Sequence, residues 1–133
     1  MNGDTFRTCF CVTHIEPGEL KEAVKVYDKK TKKLTSAKGA KSGTDLVWNM
    51  QLSVKDNASL SNANQYRILV YSHEGLGANF FGKASNLWSD AQALKRLEKV
   101  CSNLLKFNVW VDAVVEKRNG WYFVKDTKLR QYV

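Results

Sequence analysis

The sequence predicts a mainly β fold: a barrel of five strands with one helix between the third and the fourth. Three observations predict it. Residues 46–56, LVWNMQLSVKD, alternate apolar and polar side chains with the period of a half-buried strand. From Leu87 to Leu105 the apolar residues recur instead at helical spacing. Asn119-Gly120 stands between two apolar runs and fits a type I′ hairpin, whose two central positions both need φ above zero. The order strand, strand, strand, helix, strand, strand is that of the five-stranded OB-fold barrel, a small Greek-key barrel. In it the helix would plug one end.

The elements follow in order. Residues 5–15, TFRTCFCVTHI, are rich in β-branched and aromatic side chains and read as the first strand, ended by Pro17 and Gly18. Residues 19–27, ELKEAVKVY, carry Leu20, Ala23 and Tyr27 at spacings that allow a short helix. Residues 28–44 hold six lysines against one acid, Asp28, and only Leu34 is a bulky apolar residue. So little apolar surface predicts a long, mobile, basic loop between strands 1 and 2. Strand 2 presents Leu46, Trp48, Met50, Leu52 and Val54 on one face. A turn is predicted at 57–64, and strand 3 at 65–72, QYRILVYS, apolar on both faces near its middle.

The helix places Leu87, Ala91, Leu94, Leu97, Cys101, Leu104 and Leu105 on one stripe, with Asn86, Ser89 and Asp90 as candidate N-caps. Strand 4, residues 107–117, puts Phe107, Val109, Val111, Ala113 and Val115 on one face. The closing strand is WYFVKDTKL, from Trp121. Trp48 and Trp121 are expected in the core. Trp110 falls opposite the Phe107/Val109/Val111 face, and Trp88 lies just ahead of the helix. The whole chain, 1–133, reads as one domain, and its apolar runs are too short to cross a bilayer as helices.

Residues 72–82, SHEGLGANFFG, sit between a strand and a helix, where a phosphate-binding loop would be expected. The pattern fails. Counted from Gly75, Gly77 fits the dinucleotide fingerprint, but the sixth place is Phe80. A Walker loop would need a hydroxyl where Ala84 follows Lys83. The glycines are therefore expected to turn the chain at positive φ, with Phe80 or Phe81 entering the barrel end.

The net charge is +8, from 21 basic and 13 acidic residues, which suits a polyanion partner. Three cysteines, Cys9, Cys11 and Cys101, make an odd count with no zinc spacing. They read as reduced thiols of a cytosolic or nuclear protein, with no metal and no cofactor. Ser72, His73 and Glu74 are consecutive; in a strand their side chains would alternate faces, unlike a hydrogen-bonded nucleophile and base. The remaining carboxylates are scattered among lysines, with Glu116, Lys117 and Arg118 reading as a solvated hairpin flank. An enzyme is not expected.

The segments DTFRTCF, KVYDKKTKK, LSVKD, GLGANFF, FNVWVDAVVEKRNG and KDTKL, in this order, closely resemble the C-terminal domain of the ciliate telomere end-binding protein alpha subunit, of the protection-of-telomeres family. The match runs from Asp4 to Leu129, and GLGANFF and DAVVEKRNG are its specific pieces. The resemblance implies an OB-fold, a nuclear location at the telomeric region of the chromosome, and a part in the complex that caps the single-stranded end. In that family two N-terminal OB domains grip the G-rich strand, and the C-terminal domain docks a beta-type subunit. The residues of that N-terminal pair have no counterparts here.

Two functional readings result. The first is a protein-interaction domain docking the beta-type partner, with Trp88 and Trp110 as candidate anchors. The second is direct, weak binding of telomeric single-stranded DNA in the OB cleft. There Lys29, Lys30, Lys32, Lys33, Lys38 and Lys41 would meet phosphates from the basic loop. Tyr66, Arg67 and Tyr71 would meet the strand from strand 3.

Overall fold

A computed structural model describes residues 4–41, 43–56, 65–107, 109–125, 127 and 129. The turn expected at 57–64 lies outside the described residues. The described elements are seven strands in one mixed sheet and one α-helix. The long strands are β1 (Asp4–Glu16), β4 (Leu46–Asp56), β5 (Gln65–Tyr71) and β6 (Trp110–Arg118). Shorter are β2 (Val24–Asp28), β3 (Lys33–Ser36) and β7 (Trp121–Val124). The helix, α1, is Ala91–Lys106.

Five of the strands pair in a ring. β1 pairs with β6, β6 with β7, β7 with β5, and β5 with β4. β4 then pairs with β1, from Phe10 opposite Asp56 to Glu16 opposite Gln51. All these pairings are antiparallel except β5–β7. The hairpin β2–β3 hangs off the first half of β4.

The inward residues of the ring make one core. It contains Phe10, Val12, Met50, Leu52, Val54, Ile68, Val70, Val111, Val115 and Val124, joined by Phe80 and by Leu97, Cys101 and Leu104 of α1. β5 is apolar on both faces for a reason: Ile68 and Val70 join this core, while Leu69 packs on the other face with Leu76 and Phe123. Each fully buried aliphatic side chain contributes about 1.5–3 kcal/mol of transfer free energy.

Several expectations need correction. Residues 19–27 are not a helix. Leu20–Ala23 form one 3-10 turn and Val24–Asp28 are strand. Val24, Val26 and Tyr27 are β-branched or aromatic; β4 pairs with Val24–Val26 and β3 with Tyr27, so non-local pairing outweighs the local spacing. Residues 28–44 are not loop throughout. Tyr27 faces Leu34 across a hairpin, which makes β3 an edge strand. Its polar, Lys-bearing sequence suits an edge that must not recruit another strand.

α1 begins later than Leu87. Asn86 first builds a turn, accepting the Trp88 N–H at 3.0 Å and donating to the Ala37 carbonyl at 2.9 Å. Leu87 is buried within that turn. Of the three candidate caps it is Asp90 that starts the helix, its Oδ1 accepting the Ala93 N–H at 3.0 Å. Phe107 caps the far end of α1 and is 63% exposed, so it belongs to neither β6 nor the core. Trp121 is also outside the core, at 54% exposure, whereas Trp48 is buried. The closing strand ends at Val124, short of the expected run to 129.

The two turns expected to need positive φ have it. Asn119 and Gly120 adopt +52° and +82°, and Gly75 and Gly77 adopt +76° and +71°. Phe80 is fully buried, with Phe81 half-buried against its ring. Gly77 has a second reason to lack a side chain: a Cβ there would lie 3.3 Å from both the Val124 carbonyl oxygen and Val70 Cγ1.

Candidate functional site: a basic sheet face and an apolar groove

The outer face of β4, β5 and β7 is the first surface. Leu69 lies opposite Phe123 in the parallel β5–β7 register. Two residues back on each strand, and so on the same face, stand Arg67 and Trp121. Both are exposed. Ser53 of β4 pairs with Arg67, Gln51 with Leu69 and Asn49 with Tyr71. The face thus runs from the polar side chains of β4 to an exposed cation on β5 and an exposed indole on β7. Trp121 was missed by sequence reasoning. The signal available was its place directly after the Asn119-Gly120 turn, where a β7 residue is level with the sheet rim.

Tyr71 shares this face but is engaged. Its ring stacks on His73 at 5.4 Å and meets Phe123 edge-on at 6.1 Å, and its hydroxyl accepts from Gln51 Nε2 at 3.2 Å. Tyr27 of the hairpin lies 5.3 Å from the other side of the cluster, on His73. This stack ties the hairpin to the ring. Tyr66 is on the opposite side of β5, packed against Tyr122 at 4.9 Å and against the main core. Of the three strand-3 candidates, therefore, Arg67 and Tyr71 share the outer face and Tyr66 does not.

The lysines form two groups. Lys29, Lys30 and Lys32 occupy the β2–β3 turn, with Lys33 opening β3, and all are exposed. Asp28 organises the turn: its Oδ1 accepts the Lys30 N–H at 2.9 Å and its carbonyl the Lys32 N–H at 2.7 Å. Asp45 sits 3.8 Å from Lys29 Nζ. Lys38 instead reaches over the Trp88 ring at 5.1 Å, as does Lys21 at 5.2 Å. Lys41 is exposed further along. Trp88 is half-buried under these two cations, and its indole N–H has no acceptor among the described residues. Trp110 opens β6, 43% exposed and in register with Cys11.

The second surface is a groove of about 360 Å³ between α1 and the glycine-rich turn. Trp48, Phe80, Phe81, Leu87, Leu97 and Val100 give it apolar walls, and Lys83 and Arg96 are its charged residues. The Trp48 indole N–H donates to the Gly82 carbonyl at 2.8 Å, which fixes the wall.

Ser72, His73 and Glu74 are in a 3-10 turn, not a strand. Ser72 Oγ accepts the Trp48 N–H at 2.7 Å, and His73 Nε2 lies 3.5 Å from Glu74. The serine oxygen faces backbone rather than the imidazole, so no base–nucleophile pair is formed here. Glu116 does not solvate the hairpin: it is 3% exposed and lies between Arg118 and Lys125. Among the described residues no three His, Cys, Asp or Glu side chains gather as a metal would need. Burial pushes the Cys101 thiol up to about 12.

No family model matches the chain. Curated relatives do. It is 56% identical over 127 residues to the telomere-binding protein subunit alpha of Sterkiella nova, and 52% over 128 residues to that of Stylonychia mytilus. Each alignment covers 95% of this chain. The chain is a homologue of the ciliate telomere-binding protein alpha subunits. The telomere-binding protein 51 kDa subunit of Euplotes crassus is more distant, 32% identical over 130 residues and 94% of the chain. This alpha-subunit homologue spans about a quarter of the length of the curated relatives it matches, 26% and 27%.

Proposed function

We propose that the chain is a protein-interaction OB domain of a complex that binds and caps the single-stranded telomeric end, in the nucleus, and that it docks a beta-type partner subunit. The OB reading rests on the ring of β1, β4, β5, β6 and β7, with α1 between the third and fourth of them in chain order. The β2–β3 hairpin is then an insertion between the first two ring strands. Fold alone would not choose a function. What carries the docking reading is the apolar groove beside α1, in a chain whose relatives are named as subunits. Calorimetric titration with the beta-type subunit tests it. A sub-micromolar Kd is expected, and no heat at 50 µM would sink the reading.

A second reading, direct binding of telomeric single strands, is favoured by one observation: Arg67 and Trp121, on the paired strands β5 and β7, are both exposed. Bases stack on exposed aromatics and phosphates pair with cations, at about 1–3 kcal/mol per stacked base. Trp121→Ala should then weaken binding of a G-rich oligonucleotide at least tenfold. Arg67→Ala should lower the salt slope by about 0.7. Wild-type binding that does not vary with salt would remove this reading.

A further inference from the structure

The β2–β3 hairpin ends in four exposed lysines, Lys29, Lys30, Lys32 and Lys33. Lys29, Lys30 and Lys33 line one open hollow of about 580 Å³, together with Thr31, Thr35 and Thr44. The two acids beside them do little to neutralise them. Asp28 is turned to the backbone, its Oδ1 accepting the Lys30 N–H at 2.9 Å. Asp45 stands 3.8 Å from Lys29 Nζ, but both side chains are exposed, and such a pair is weak in water. Lys30, Lys32 and Lys33 have no ion pair among the described residues. We infer that this hairpin grips the sugar-phosphate backbone of double-stranded DNA, without regard to sequence. Neither partner docking nor single-strand binding is needed for it.

Three physical points select this occupant. The cations are held in place. The Lys32 N–H donates to the Asp28 carbonyl at 2.7 Å, Lys32 sits at a φ of +56°, and Tyr27 ties the hairpin to the ring through His73 at 5.3 Å. Groups that are already ordered lose less freedom on binding. The hairpin also lacks a platform for bases. Tyr27 is its one aromatic residue, and it is half-buried and committed to that stack. Single-strand binders need free rings on which bases stack, whereas a duplex keeps its bases stacked on each other and presents phosphates. The third point is charge density. Four lysines fall within five residues, and a duplex offers one phosphate per about 1.7 Å of its axis, twice the density of either strand. The major groove of B-form DNA, about 12 Å wide, admits a two-stranded β-ribbon. The hairpin is remote from Arg67: it pairs with β4 at Leu46–Trp48, and Arg67 pairs with Ser53. At about 3.3 Å per residue, Leu46 and Ser53 lie roughly 23 Å apart along the strand, so the two surfaces can be tested separately.

The test titrates the whole chain into a labelled blunt DNA duplex of mixed sequence, about 20 base pairs long, and follows fluorescence anisotropy. Four phosphate contacts predict a slope of log affinity against log salt of about −3.6, or binding roughly 150-fold weaker at 200 mM than at 50 mM salt. The quadruple variant Lys29→Gln, Lys30→Gln, Lys32→Gln and Lys33→Gln should bind at least tenfold more weakly and lose most of that slope. The milder pair Lys30→Gln with Lys33→Gln should lose about half of it, and it serves as the readout if the quadruple variant melts early. A control removes four charges from exposed positions of α1, as Lys95→Gln, Arg96→Gln, Lys99→Gln and Lys106→Gln, and should bind the duplex within threefold of wild type. Equal losses in the hairpin variants and the control would mean that net charge alone attracts the duplex, and the assignment is overturned. It is also overturned if the wild type shows no duplex binding at about 100 µM chain in low salt. If the hairpin variants lose a G-rich single strand as strongly as they lose the duplex, the lysines serve single strands and the inference fails. If polyglutamate displaces the duplex at equal charge concentration, the occupant is an acidic protein and the inference fails.

Discussion

The guanidinium of Arg118 lies against the Glu116 carboxylate, and that carboxylate is only 3% exposed. The approach is close, but its angles do not make a hydrogen bond, so Oε2 is held by charge alone. Lys125 stands 3.7 Å from the other oxygen, and Arg118 also lies over the Phe123 ring at 6.0 Å. A buried carboxylate deprived of its partner is costly. Arg118→Ala should destabilise the fold by about 2–3 kcal/mol, less than a wholly unpaired buried charge because Lys125 remains. Glu116→Gln removes the charge itself and should cost less. Urea denaturation of the two variants checks the order; Arg118→Ala within 0.5 kcal/mol of wild type would discard this account.

Gly75 and Gly77 share a conformation and differ in surroundings. Both have positive φ, but a Cβ on Gly75 meets nothing within 4 Å, whereas on Gly77 it presses on Val124 and Val70. Gly75→Ala should cost only the left-handed penalty, about 1 kcal/mol. Gly77→Ala adds a clash against a backbone oxygen that cannot move without disturbing β7, so about 2–3 kcal/mol is expected. Equal melting temperatures for the two variants would show that the glycine turn is not packed against the ring as described.

The tryptophans show how far the sequence could be read. Trp48 stands in an eleven-residue alternating strand, where the period alone fixes its face, and it is buried. Trp121 stands at the start of a four-residue strand, where alternation gives no such guide, and its size argued wrongly for the core. The same limit applies to Val24–Asp28: five residues read equally well as a helix turn until β4 is placed beside them. Asn119-Gly120 and Gly75 were legible because their chemistry is local. The groove was not legible, since its walls come from Trp48, residues 79–87 and α1, which only the folded chain brings together. Denaturation measures the difference. Trp48→Ala should cost about 3–5 kcal/mol, as large core truncations do, and Trp121→Ala less than about 1 kcal/mol. Comparable losses for both would contradict the exposure of Trp121.

The three thiols should separate by reactivity and one of them by pH. Cys101 is 4% exposed on the core stripe of α1, Cys11 is fully buried, and Cys9 is partly accessible. Only thiolates react, so a disulfide reagent at neutral pH should label Cys9 in the folded chain and all three once it is unfolded. Burial raises the Cys101 thiol from 9.0 to about 12. In the window between those values the unfolded chain has released this proton while the folded chain still holds it. The unfolded state then binds fewer protons, so stability falls as pH rises, by up to about 1.4 kcal/mol per unit from this one group. Below pH 9 both states keep the proton and the group adds no slope. Cys101→Ala should flatten the decline above pH 9 in denaturation curves, at the expense of a cavity at all pH values. An unchanged alkaline slope in that variant would mean that Cys101 is not the group that titrates.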